Sequence, residues 1–491
     1  MVRIEGPIIA FLGGPISDFL QLDPADAPAK GLTTWLTDGL RSAVAEGRLA
    51  AGTRLPATRG LADELRVSRG VVVDAYQRLI DEGLAAARTG AGTTIIARPH
   101  ARDTPSDRRR SLDTLRLPLP PAEGIDLDLS PGVPDLSAFP RTAWLRAERA
   151  VLDEITAADL GYGDPGGTPI LRAELAGWLA RTRGVHAEPD DVIVVGGVAQ
   201  ALALLAQTLR AAGTTRIAVE DPGSRGARDQ LAHWGVRPEP VPVDAEGLVV
   251  DALTQSAAVL TPAHQFPTGV VLSPARRRAL LAWAAGGNLA VEDDYDAEHR
   301  YDRAPVAALQ GSAPDQIAYA GSVSKSLAPG MRLGWLVAPR RMQPELLTAK
   351  HDSDLGNPAL PQLVLARLLA TGDYERHLRN VRTRQRRRRD ALLAGLTRFL
   401  PDARVTGVAA GLHLLIMLPG EIPDVSAAAL AADAGVLVHP LSWHRFADGP
   451  PGLILGYAAN PPDRLTEAAE RLGRALSPGR LGPGRLTRRT P

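Results

Sequence analysis

The chain has 491 residues, of which 45% are hydrophobic and 23% are charged, and it carries a formal net charge of +1 and no cysteine. This composition is typical of a folded protein with several domains, and it excludes disulfides, thiolate metal sites and a largely disordered chain. It fits a cytoplasmic protein, and the balanced charge by itself indicates no polyanionic partner.

Residues 1–17 carry no periodic pattern, and we interpret them as a loose leader. The apolar run at residues 8–12 is too short to span a membrane and is followed by two glycines and a proline. We therefore predict neither a membrane segment nor a signal peptide.

The stretch 18–97 predicts a compact helical unit with a short β extension. Apolar residues at helical spacing predict a first helix, Thr58 opens a second, and Ser68 is a good N-cap for a third. Gly90 and Gly92 lie between two extended pieces, which is typical of a β-hairpin tip. This order is that of a winged helix-turn-helix, and a small helical interaction domain is the alternative that the pattern leaves open.

The segment LPATRGLADELRVSRGVVVDAYQRLIDEGLAAARTGAGTTI, residues 55–95, resembles the DNA-binding domain of the GntR family over its full length. The resemblance implies binding to double-stranded DNA. By position, it gives DNA contacts to Arg59, Ser68, Arg69 and Gly70 on the helices and to Thr89 and Gly90 at the wing. The family often has a basic residue where this chain has Val73, so one phosphate or base contact is expected to be missing.

Three further regions follow along the chain. Residues 98–128 are rich in proline and arginine and predict a linker. In residues 129–372, short apolar strands alternate with helices, which predicts an α/β domain with a mostly parallel sheet covered on both faces. Residues 373–476 predict a smaller α+β domain that begins with an arginine-rich helix, whose basic face is either solvated or turned toward DNA. Residues 477–491 are rich in Pro, Gly and Arg and predict a disordered tail.

Polar clusters in the α/β region follow the carboxyl ends of predicted strands, which is where such folds bind ligands. One cluster contains Lys325, and the only other lysines in the chain are Lys30 and Lys350. A lysine can attack a carbonyl once its pKa is lowered, whereas arginine keeps its proton. Lys325 in a serine-rich loop therefore suits a Schiff base with a phosphorylated aldehyde cofactor, and a solvated loop lysine is the alternative.

Two features could bind the phosphate of such a cofactor. Gly197, Val198 and Ala199 lie where a strand meets a helix N-terminus, so their N–H groups can bind an anion. The side chains near Lys325 that can add hydrogen bonds to the phosphate are Ser322, Ser324, Ser326 and Arg332.

A carboxylate and a phenol are placed to bind a pyridine ring. A pyridine ring acts as an electron sink while its nitrogen is protonated, and Asp293 after a strand is the candidate that enforces this. Tyr295 could hydrogen-bond the phenolic oxygen of the ring. The acidic run 292–296 could alternatively be a divalent-metal site or a solvated turn, although His299 is the only histidine near it at ligand spacing. We predict no metal.

Four motifs occur together with the N-terminal unit. They are GYGDPGGTPILRAELAGWLARTRGV (161–185), TPAHQFPTG (261–269), EDDYDAEHRY (292–301) and GSVSKSLAPGMRLGWLV (321–337). In this combination the chain resembles the MocR/GabR group of the GntR family over about residues 18–476. The fold class implied is a winged helix-turn-helix followed by a fold-type I aminotransferase-like domain and a small C-terminal domain.

The resemblance implies roles for individual residues. It implies pyridoxal 5′-phosphate (PLP) as a Schiff base on Lys325, with Asp293 on the pyridine nitrogen and Tyr295 on O3′. The phosphate would be held by Ser322, Arg332 and the amides of residues 197–199, and the pocket would be lined by His264, Gln265 and Phe266. It also implies a head-to-tail homodimer, in which Tyr162 reaches the site of the other chain and the DNA-binding domain lies beside the partner's effector domain.

Two departures from related enzymes bear on function. Transaminases of this fold hold the substrate carboxylate with an arginine near the C-terminal strand, whereas residues 449–460 contain none and the nearest is Arg445. Members of the group that sense amino acids have an aromatic residue after Asp-Pro-Gly, where this chain has Ser224 followed by Arg225. The loss of a bidentate carboxylate clamp argues against binding of amino acids.

We therefore expect a transcriptional regulator and not an enzyme. In this hypothesis PLP itself is the effector, as in the PdxR-like members of the group, which tie PLP level to transcription of vitamin B6 synthesis genes. The alternatives are an active PLP-dependent aminotransferase, a regulator that senses an amino acid through an imine with PLP, and a regulator for which PLP is only structural.

Overall fold

A computed structural model gives the fold of the chain. It describes residues 22, 27–28, 31–46, 48–82, 84–88, 92–96, 124–296, 298–302, 306–419 and 422–476. The chain divides into two compact units at the boundary between Pro118 and Leu119. The predicted leader and tail, and the wing residues Thr89 and Gly90, lie outside the described residues. The finer domain boundaries stay predictions.

The N-terminal unit is the predicted winged helix-turn-helix. Its elements are α1 (Leu32–Ala45), α2 (Thr58–Leu65), α3 (Arg69–Asp81), β1 (Ala85–Arg88) and β2 (Gly92–Ile95). Ser68 caps α3, since its side chain accepts a hydrogen bond from the Val71 amide at 3.4 Å. Leu36, Leu61 and Leu79 are fully buried among the apolar faces of the three helices. The helix boundaries predicted from capping and periodicity are confirmed.

The large part of the second unit is built on an eight-stranded sheet in the order β4-β11-β10-β9-β8-β5-β6-β7. Its strands are β4 (Val192–Val195), β5 (Arg216–Asp221), β6 (Arg237–Asp244), β7 (Gly247–Leu248), β8 (Ala257–Leu260), β9 (Leu289–Asp294), β10 (Ile317–Ser322) and β11 (Gly334–Val337). The pairs from β10 through β6 are parallel, whereas β11 is antiparallel to both of its neighbours and β7 is antiparallel to β6. The mostly parallel sheet is therefore confirmed.

Helices cover both faces of this sheet. They are α4 (Arg141–Glu154), α5 (Pro169–Arg183), α6 (Val198–Ala211), α7 (Arg225–His233), α8 (Pro274–Ala285), α9 (Gln343–Asp354) and α10 (Ala359–Ala370). Strand β4 shows the two-sided burial directly. Val192 and Val194 belong to one apolar core, whereas Ile193 and Val195 belong to the core on the opposite face.

The C-terminal part is smaller and begins with the long helix α11 (Asp373–Phe399). An antiparallel sheet follows in the order β12-β13-β16-β15, with β14 pairing in parallel with the early strand β3. The elements are β3 (Leu127–Asp128), β12 (Arg404–Thr406), β13 (His413–Met417), α12 (Asp424–Asp433), β14 (Val436–Leu437), β15 (His439–Pro440), β16 (Gly452–Gly456) and α13 (Pro462–Ala475). No helix among the described residues combines the length and apolarity needed to cross a bilayer.

One local expectation was wrong. Asp293 was expected after its strand, whereas β9 continues through Asp294, so the carboxylates of this run begin on the strand itself. This difference brings polar groups to the carboxyl edge of the sheet.

Candidate functional site

Lys325 follows the carboxyl end of β10, in a half-buried position. Its Nζ donates a hydrogen bond to the carbonyl oxygen of Gly132 at 2.5 Å, and it makes no ion pair with any residue that the structure describes. Gly132 has φ +84°, and a Cβ there would lie 3.2 Å from this Nζ, so glycine keeps the space beside the amine open. The amine is thus held by one neutral acceptor.

Lys350 provides an internal contrast. Its side chain is fully buried, and its Nζ forms an ion pair with Asp354 Oδ1 at 2.5 Å. Burial lowers the pKa of both amines. The hydrogen bond and charge of Asp354 oppose that shift for Lys350, whereas Lys325 makes no ion pair with a described residue and only the more distant charges of Asp296 and Asp293 oppose it. Of these two lysines, Lys325 is therefore the one whose amine is free to react as a nucleophile.

Asp293 lies near the end of β9, next to β10 in the sheet. Its Oδ1 is buried and has no hydrogen-bond partner among the described residues. Burial, and next the carboxylates of Asp294 and Asp296, raise the pKa of Asp293 to about 7. An acceptor buried without a partner is costly, so this oxygen is available to a cationic or N–H donor that enters the site.

The other carboxylates of the run turn to separate partners. Glu292 accepts hydrogen bonds from the amides of Leu309 and Gln310, and Asp294 accepts from Arg183 Nε at 2.7 Å. The described residues contain no group of three or more acidic, cysteine or histidine side chains that could hold a metal ion. The structure therefore gives no support to the metal alternative for residues 292–296.

Tyr295 and His264 meet beside Asp293. The Tyr295 hydroxyl lies 3.1 Å from His264 Nδ1, and the same Nδ1 lies 3.0 Å from Oδ2 of the buried Asp296. Because a carboxylate only accepts, we assign the Nδ1 proton to the bond with Asp296. Burial, and next the charges of Asp296 and Asp293, raise the pKa of Tyr295 well above its usual range. Its phenol therefore keeps its proton and can donate it to an acceptor.

An anion cradle lies on the other side of Lys325. Gly197 caps α6 with φ +102°, and the first amides of this helix have no intrahelical acceptor. The guanidinium of Arg332 lies against this turn, 3.5 Å from the position of a Cβ on Gly197. Arg332 itself has φ +49°, which is uncommon for a non-glycine residue, and its guanidinium makes no ion pair with a described residue. Cationic donors and free amides therefore converge on one point.

Ser322 and Ser324 stay close to this cradle, whereas Ser326 does not. Ser322 is buried, and its Oγ accepts from the Ser324 amide at 3.3 Å. The Ser326 hydroxyl pairs instead with the Tyr374 hydroxyl at 2.7 Å. The expectation that all three serines grip a phosphate was therefore wrong for Ser326, whose bonds fix the loop that carries Lys325.

Gln265 and Tyr162 also differ from the other candidates. Gln265 is buried, and its amide is used by Pro222 O and by both the backbone and side chain of Thr268. It braces the turn that presents Phe266, so its own polar atoms do not face the pocket. Tyr162 is 94% exposed. It lies outside the buried cluster of this chain, and its predicted role in a second subunit stays a prediction.

The outer part of the pocket is lined by rings. Phe266 packs edge-on against Tyr295, His413 and His444, with centroid distances of 6.1, 5.0 and 5.1 Å. Burial lowers the pKa of His413 to about 4 and that of His444 to about 3. These imidazoles are therefore neutral at pH 7, and the charge of the nearby Arg228 contributes to the lowered pKa of His444.

Among the described residues, no arginine enters the pocket from the C-terminal strand. In β16, Ile454 is fully buried in an apolar cluster with Leu415 and Leu441, against which Phe266 packs. Arg445 donates from Nη1 to the Pro450 carbonyl at 2.7 Å, within its own loop. Ser224 is used as the N-cap of α7, accepting from the Ala227 amide at 3.2 Å. The segment that lacks the arginine expected in transaminases therefore forms an apolar wall. Ser224, which stands where other members have an aromatic residue, caps a helix.

The second candidate site is the outward face of α3. Arg69 and Gly70 open this helix and are exposed, and Ser68 and Arg59 are exposed beside them. Arg69 Nε lies 3.4 Å from the Thr58 hydroxyl, so it stays next to the start of α2. The amides of the first turn point outward from the same end. Four of the six predicted DNA contacts are thus brought together on one surface.

Sequence reasoning missed several residues of the pocket. Gly132 contributes only a carbonyl and gave no chemical signal, although Pro-Gly marked a turn. Asp296 was hidden within an acidic run, and its pairing with His264 spans 32 positions. His413 and His444 are isolated histidines in the sequence, and only the closing of the C-terminal sheet onto Phe266 joins them to the site.

Comparisons with known proteins agree with this architecture. The family model for aminotransferase class I and II matches residues 125–472, and the model for bacterial regulatory proteins of the gntR family matches residues 33–95. Among solved structures, the chain is similar to LysN, the α-aminoadipate aminotransferase from Thermus thermophilus. The TM-score is 0.65 at 29% identity, covering 72% of this chain and 92% of that one.

Whole-length relatives carry both parts. The chain is 34% identical over 454 residues to the HTH-type pyridoxine biosynthesis transcriptional regulator PdxR of Corynebacterium glutamicum, covering 91% of this chain and 96% of the relative. It is 32% identical over 465 residues to the "Probable rhizopine catabolism regulatory protein MocR" of Rhizobium meliloti, covering 90% and 93%. The chain therefore belongs to the MocR/PdxR-type regulators of the GntR family, in which a helix-turn-helix domain is fused to an aminotransferase class I and II domain.

Proposed function

We propose that this chain is a transcriptional regulator that binds double-stranded DNA through its N-terminal unit and uses PLP as its effector in the aminotransferase-like unit. The observation that carries the proposal is a pocket whose inner residues suit PLP and whose apolar wall, among the described residues, offers an amino-acid carboxylate no arginine that is free of a backbone carbonyl. The relative PdxR is named for pyridoxine biosynthesis, and on that similarity we propose vitamin B6 synthesis genes as the targets.

The residues of the pocket fit PLP in three places. The orphaned Oδ1 of Asp293 suits a protonated ring nitrogen, and the phenol of Tyr295 suits the ring oxygen beside the aldehyde. The turn at Gly197, the guanidinium of Arg332 and the hydroxyl of Ser322 suit a phosphate dianion. Among the described residues, Asp293 Oδ1 has no hydrogen-bond partner and Arg332 makes no ion pair.

When bound, PLP supplies an aldehyde that condenses with amines and a ring that withdraws electrons. The chain's own residues do the rest. Lys325 offers an amine whose pKa burial lowers, and Gly132 holds that amine through one neutral bond that can be exchanged. Asp296 and His264 keep the Tyr295 hydroxyl in place, and Phe266 closes the pocket on the side of the small domain.

The outer wall supports PLP itself as the effector over an amino acid. An amino-acid ligand brings a carboxylate, and burying this charge without a partner costs several kcal/mol (on the order of 3–5). Phe266, Ile454 and the neutral His413 and His444 offer no compensating cation. Two guanidiniums lie near the described part of the wall, and both are bound to backbone carbonyls, Arg445 to that of Pro450 and Arg228 to that of Trp443.

The DNA half of the proposal rests on the surface of α3. Exposed Arg59 and Arg69 flank the capped start of this helix, so cations and free amides face outward together. This arrangement suits phosphate contacts that fix a recognition helix in the major groove. Ser68 and Gly70 let the backbone approach closely at the same end.

We also propose a head-to-tail homodimer. The segment 136–170 exposes an unusual number of large apolar side chains for a free surface. They are Leu136, Leu145, Leu152, Leu160, Tyr162 and Ile170, all between 48% and 94% exposed. Leu145 and Leu152 are seven residues apart and share one face of α4. A second copy that covers this face would bring its Tyr162 near the pocket.

The proposal is tested by measuring DNA binding with and without the cofactor. Fluorescence anisotropy with DNA from upstream of the gene that encodes this chain should give an affinity that changes at least tenfold between PLP-free and PLP-loaded protein. Borohydride reduction followed by peptide mapping should fix the cofactor to Lys325 alone. An unchanged affinity, with PLP bound covalently, would show that PLP is structural and not the effector.

The enzyme alternative is separated by a second measurement. The PLP-loaded protein is mixed with each common amino acid and with 2-oxoglutarate, and the cofactor absorbance and product formation are followed. We expect no conversion and no turnover. Rapid conversion of the cofactor to its amine form by any common amino acid would replace the effector proposal with an aminotransferase or an amino-acid sensor.

A further inference from the structure

Val73 is exposed on the face of α3 that carries the predicted DNA contacts. The side chain is 42% exposed, whereas the opposite face of the same helix, with Val72, Tyr76 and Leu79, is buried. At 100° per residue, Val73 lies one turn beyond Arg69 and in the same stripe as Gly70. A single exposed valine is common on a protein surface, so the case for a function of Val73 depends on the residues around it.

The surroundings of Val73 favour close approach to a base edge. A Cβ on Gly70 would meet only the Ser68 hydroxyl, at 3.7 Å, so this side of the helix is open in the described part of the unit. Arg69, one turn earlier, is an exposed cation of the type that binds O6 and N7 of guanine. The cation of Arg69 at the helix start thus suits a groove lined by phosphates. The apolar side chain of Val73 lies one turn further along the same face of the helix.

We infer that Val73 is a specificity-determining residue that contacts the 5-methyl group of a thymine in the major groove. This methyl is the only apolar group that a Watson–Crick base pair presents there. Val73 offers two methyl groups on a stiff side chain, because a β-branched residue in a helix is nearly confined to one χ1 rotamer. The contact therefore needs little ordering of the side chain.

The inference rests on the proposed DNA binding and sharpens it. With Arg69 at the first helical position and Val73 one turn on, the operator should hold a guanine and, one or two base pairs away, a thymine whose methyl faces the helix. The family often has a basic residue at this position, where it can contact a phosphate or a base. In this chain Val73 would contact a thymine methyl group instead.

The test removes the methyl groups and nothing else from the bases. DNA from upstream of the gene is amplified once with dTTP and once with dUTP, and the affinity of the full-length protein for each product is measured by anisotropy. Loss of one buried methyl contact is expected to weaken binding about fourfold. The wild-type protein should therefore bind the thymine product about fourfold more tightly than the uracil product, or more if two subunits each make the contact.

Variants assign the effect to this side chain. Val73→Ser should bind the two products with a ratio near one, and serine has a helix propensity close to that of valine, so folding should be unchanged. Val425→Ser is the matched control, since Val425 is 50% exposed on α12, and it should keep the wild-type ratio. Val73→Arg should lose discrimination and steepen the salt dependence, by about 0.9 in the slope for each new phosphate contact.

The outcomes separate the inference from the function on which it rests. If the wild-type protein bound neither product above the level of unrelated DNA, the DNA-binding proposal would fail. If it bound both products equally, or if Val73→Ser kept the full preference for thymine, DNA binding would stand and the role of Val73 would be overturned.

Discussion

The pocket of the aminotransferase-like unit has two halves of opposite character. The inner half, formed by Lys325, Asp293, Tyr295 and Arg332, is polar, and among the described residues Lys325 and Arg332 make no ion pair and Asp293 Oδ1 has no hydrogen-bond partner. The outer half, formed by Phe266, His413, His444 and Ile454, is apolar or neutral. In a substrate pocket both halves would offer charge, one to the cofactor and one to the substrate. The proposed function therefore predicts that the inner half binds PLP and that the outer half does not bind a substrate carboxylate.

The largest expected effect comes from removing the amine of the inner half. Lys325→Ala should abolish covalent attachment of PLP, because alanine has no nitrogen to condense with the aldehyde. After borohydride reduction, mass spectrometry should find the adduct on the wild-type chain and none on the variant. Among the described residues, the side chain of Lys325 makes one hydrogen bond, to Gly132, and no ion pair, so thermal unfolding of the variant should stay close to that of the wild type.

Covalent attachment of PLP to a different lysine would contradict this prediction. The chain has two other lysines, Lys30 and Lys350, and the second is fully buried in an ion pair. An adduct on either of them at the wild-type level in Lys325→Ala would show that the inner half is not the site of attachment.

The next largest effect concerns Asp293. Asp293→Asn should weaken PLP binding about 10- to 100-fold, because a charge-assisted bond contributes about 1.5–3 kcal/mol. Equilibrium titration of the PLP-free protein, followed by cofactor absorbance, gives the affinity. Asp293→Glu keeps the charge and should lie between the two.

A matched variant on the neighbouring strand tests whether the loss is specific. Tyr319→Phe removes the hydroxyl that donates to Asp294 at 2.6 Å and leaves Asp293 in place. It should lower stability without the loss of PLP affinity. Equal loss in Asp293→Asn and Tyr319→Phe would show that general weakening of the strand, and not the free carboxylate, controls binding.

Low pH is expected to destabilise the protein through the histidines of the outer half, and this effect should be smaller than those of the substitutions above. His413 and His444 have pKa values lowered by burial to about 4 and about 3, so the folded protein binds fewer protons than the unfolded chain below pH 6.5. Above pH 6.5 both histidines are neutral in the folded and in the unfolded chain, so they do not change the free energy of unfolding. As the pH falls from 6.5 toward 4, the unfolded chain takes up protons first and the free energy of unfolding decreases. At pH 5.5 the loss should be about 1.4 kcal/mol for each histidine.

Denaturant unfolding at pH 7.5 and pH 5.5 measures this loss. His444→Phe keeps a ring against Phe266 and should reduce the pH dependence by the share of one histidine. His351→Asn is the control for the loss of an imidazole, since His351 is exposed and lies outside the outer half. A profile that stayed the same in His444→Phe would mean that this ring is already charged when folded, and the outer half would not be neutral.

The inner half could largely be predicted from the sequence, whereas of the outer half only Phe266 could be. Lys325, Asp293 and Arg332 lie in short motifs whose chemistry and spacing are local, and the helix bounds around Ser68 follow from capping and periodicity. The wall around Phe266 depends on contacts that span more than a hundred residues along the chain, as between Phe266 and His444. Such contacts are set by how the C-terminal sheet packs, which no local pattern specifies.

The same limit explains the local errors. Strand β9 continues to Asp294 because this carboxylate finds buried partners in Arg183 and Tyr319, which are 111 and 25 residues away. An acidic run alone resembles a solvated turn, since unpaired carboxylates are rarely buried. Ser326 was expected to bind a phosphate because it is next to Lys325 in the sequence. Its hydroxyl instead pairs with the hydroxyl of Tyr374, a residue of α11.

The smallest effect is expected from the arginine nearest to the outer half. Arg445→Gln should change the PLP affinity and the response to amino acids less than twofold, because this guanidinium is already bound to the Pro450 carbonyl. Arg332→Gln is its counterpart in the inner half, and it should weaken PLP binding about 10- to 100-fold through the phosphate. The two variants make the same chemical change, so the ratio of their effects measures the difference between the halves. A large effect of Arg445→Gln on amino-acid binding would instead show that this loop turns inward and supplies the missing clamp.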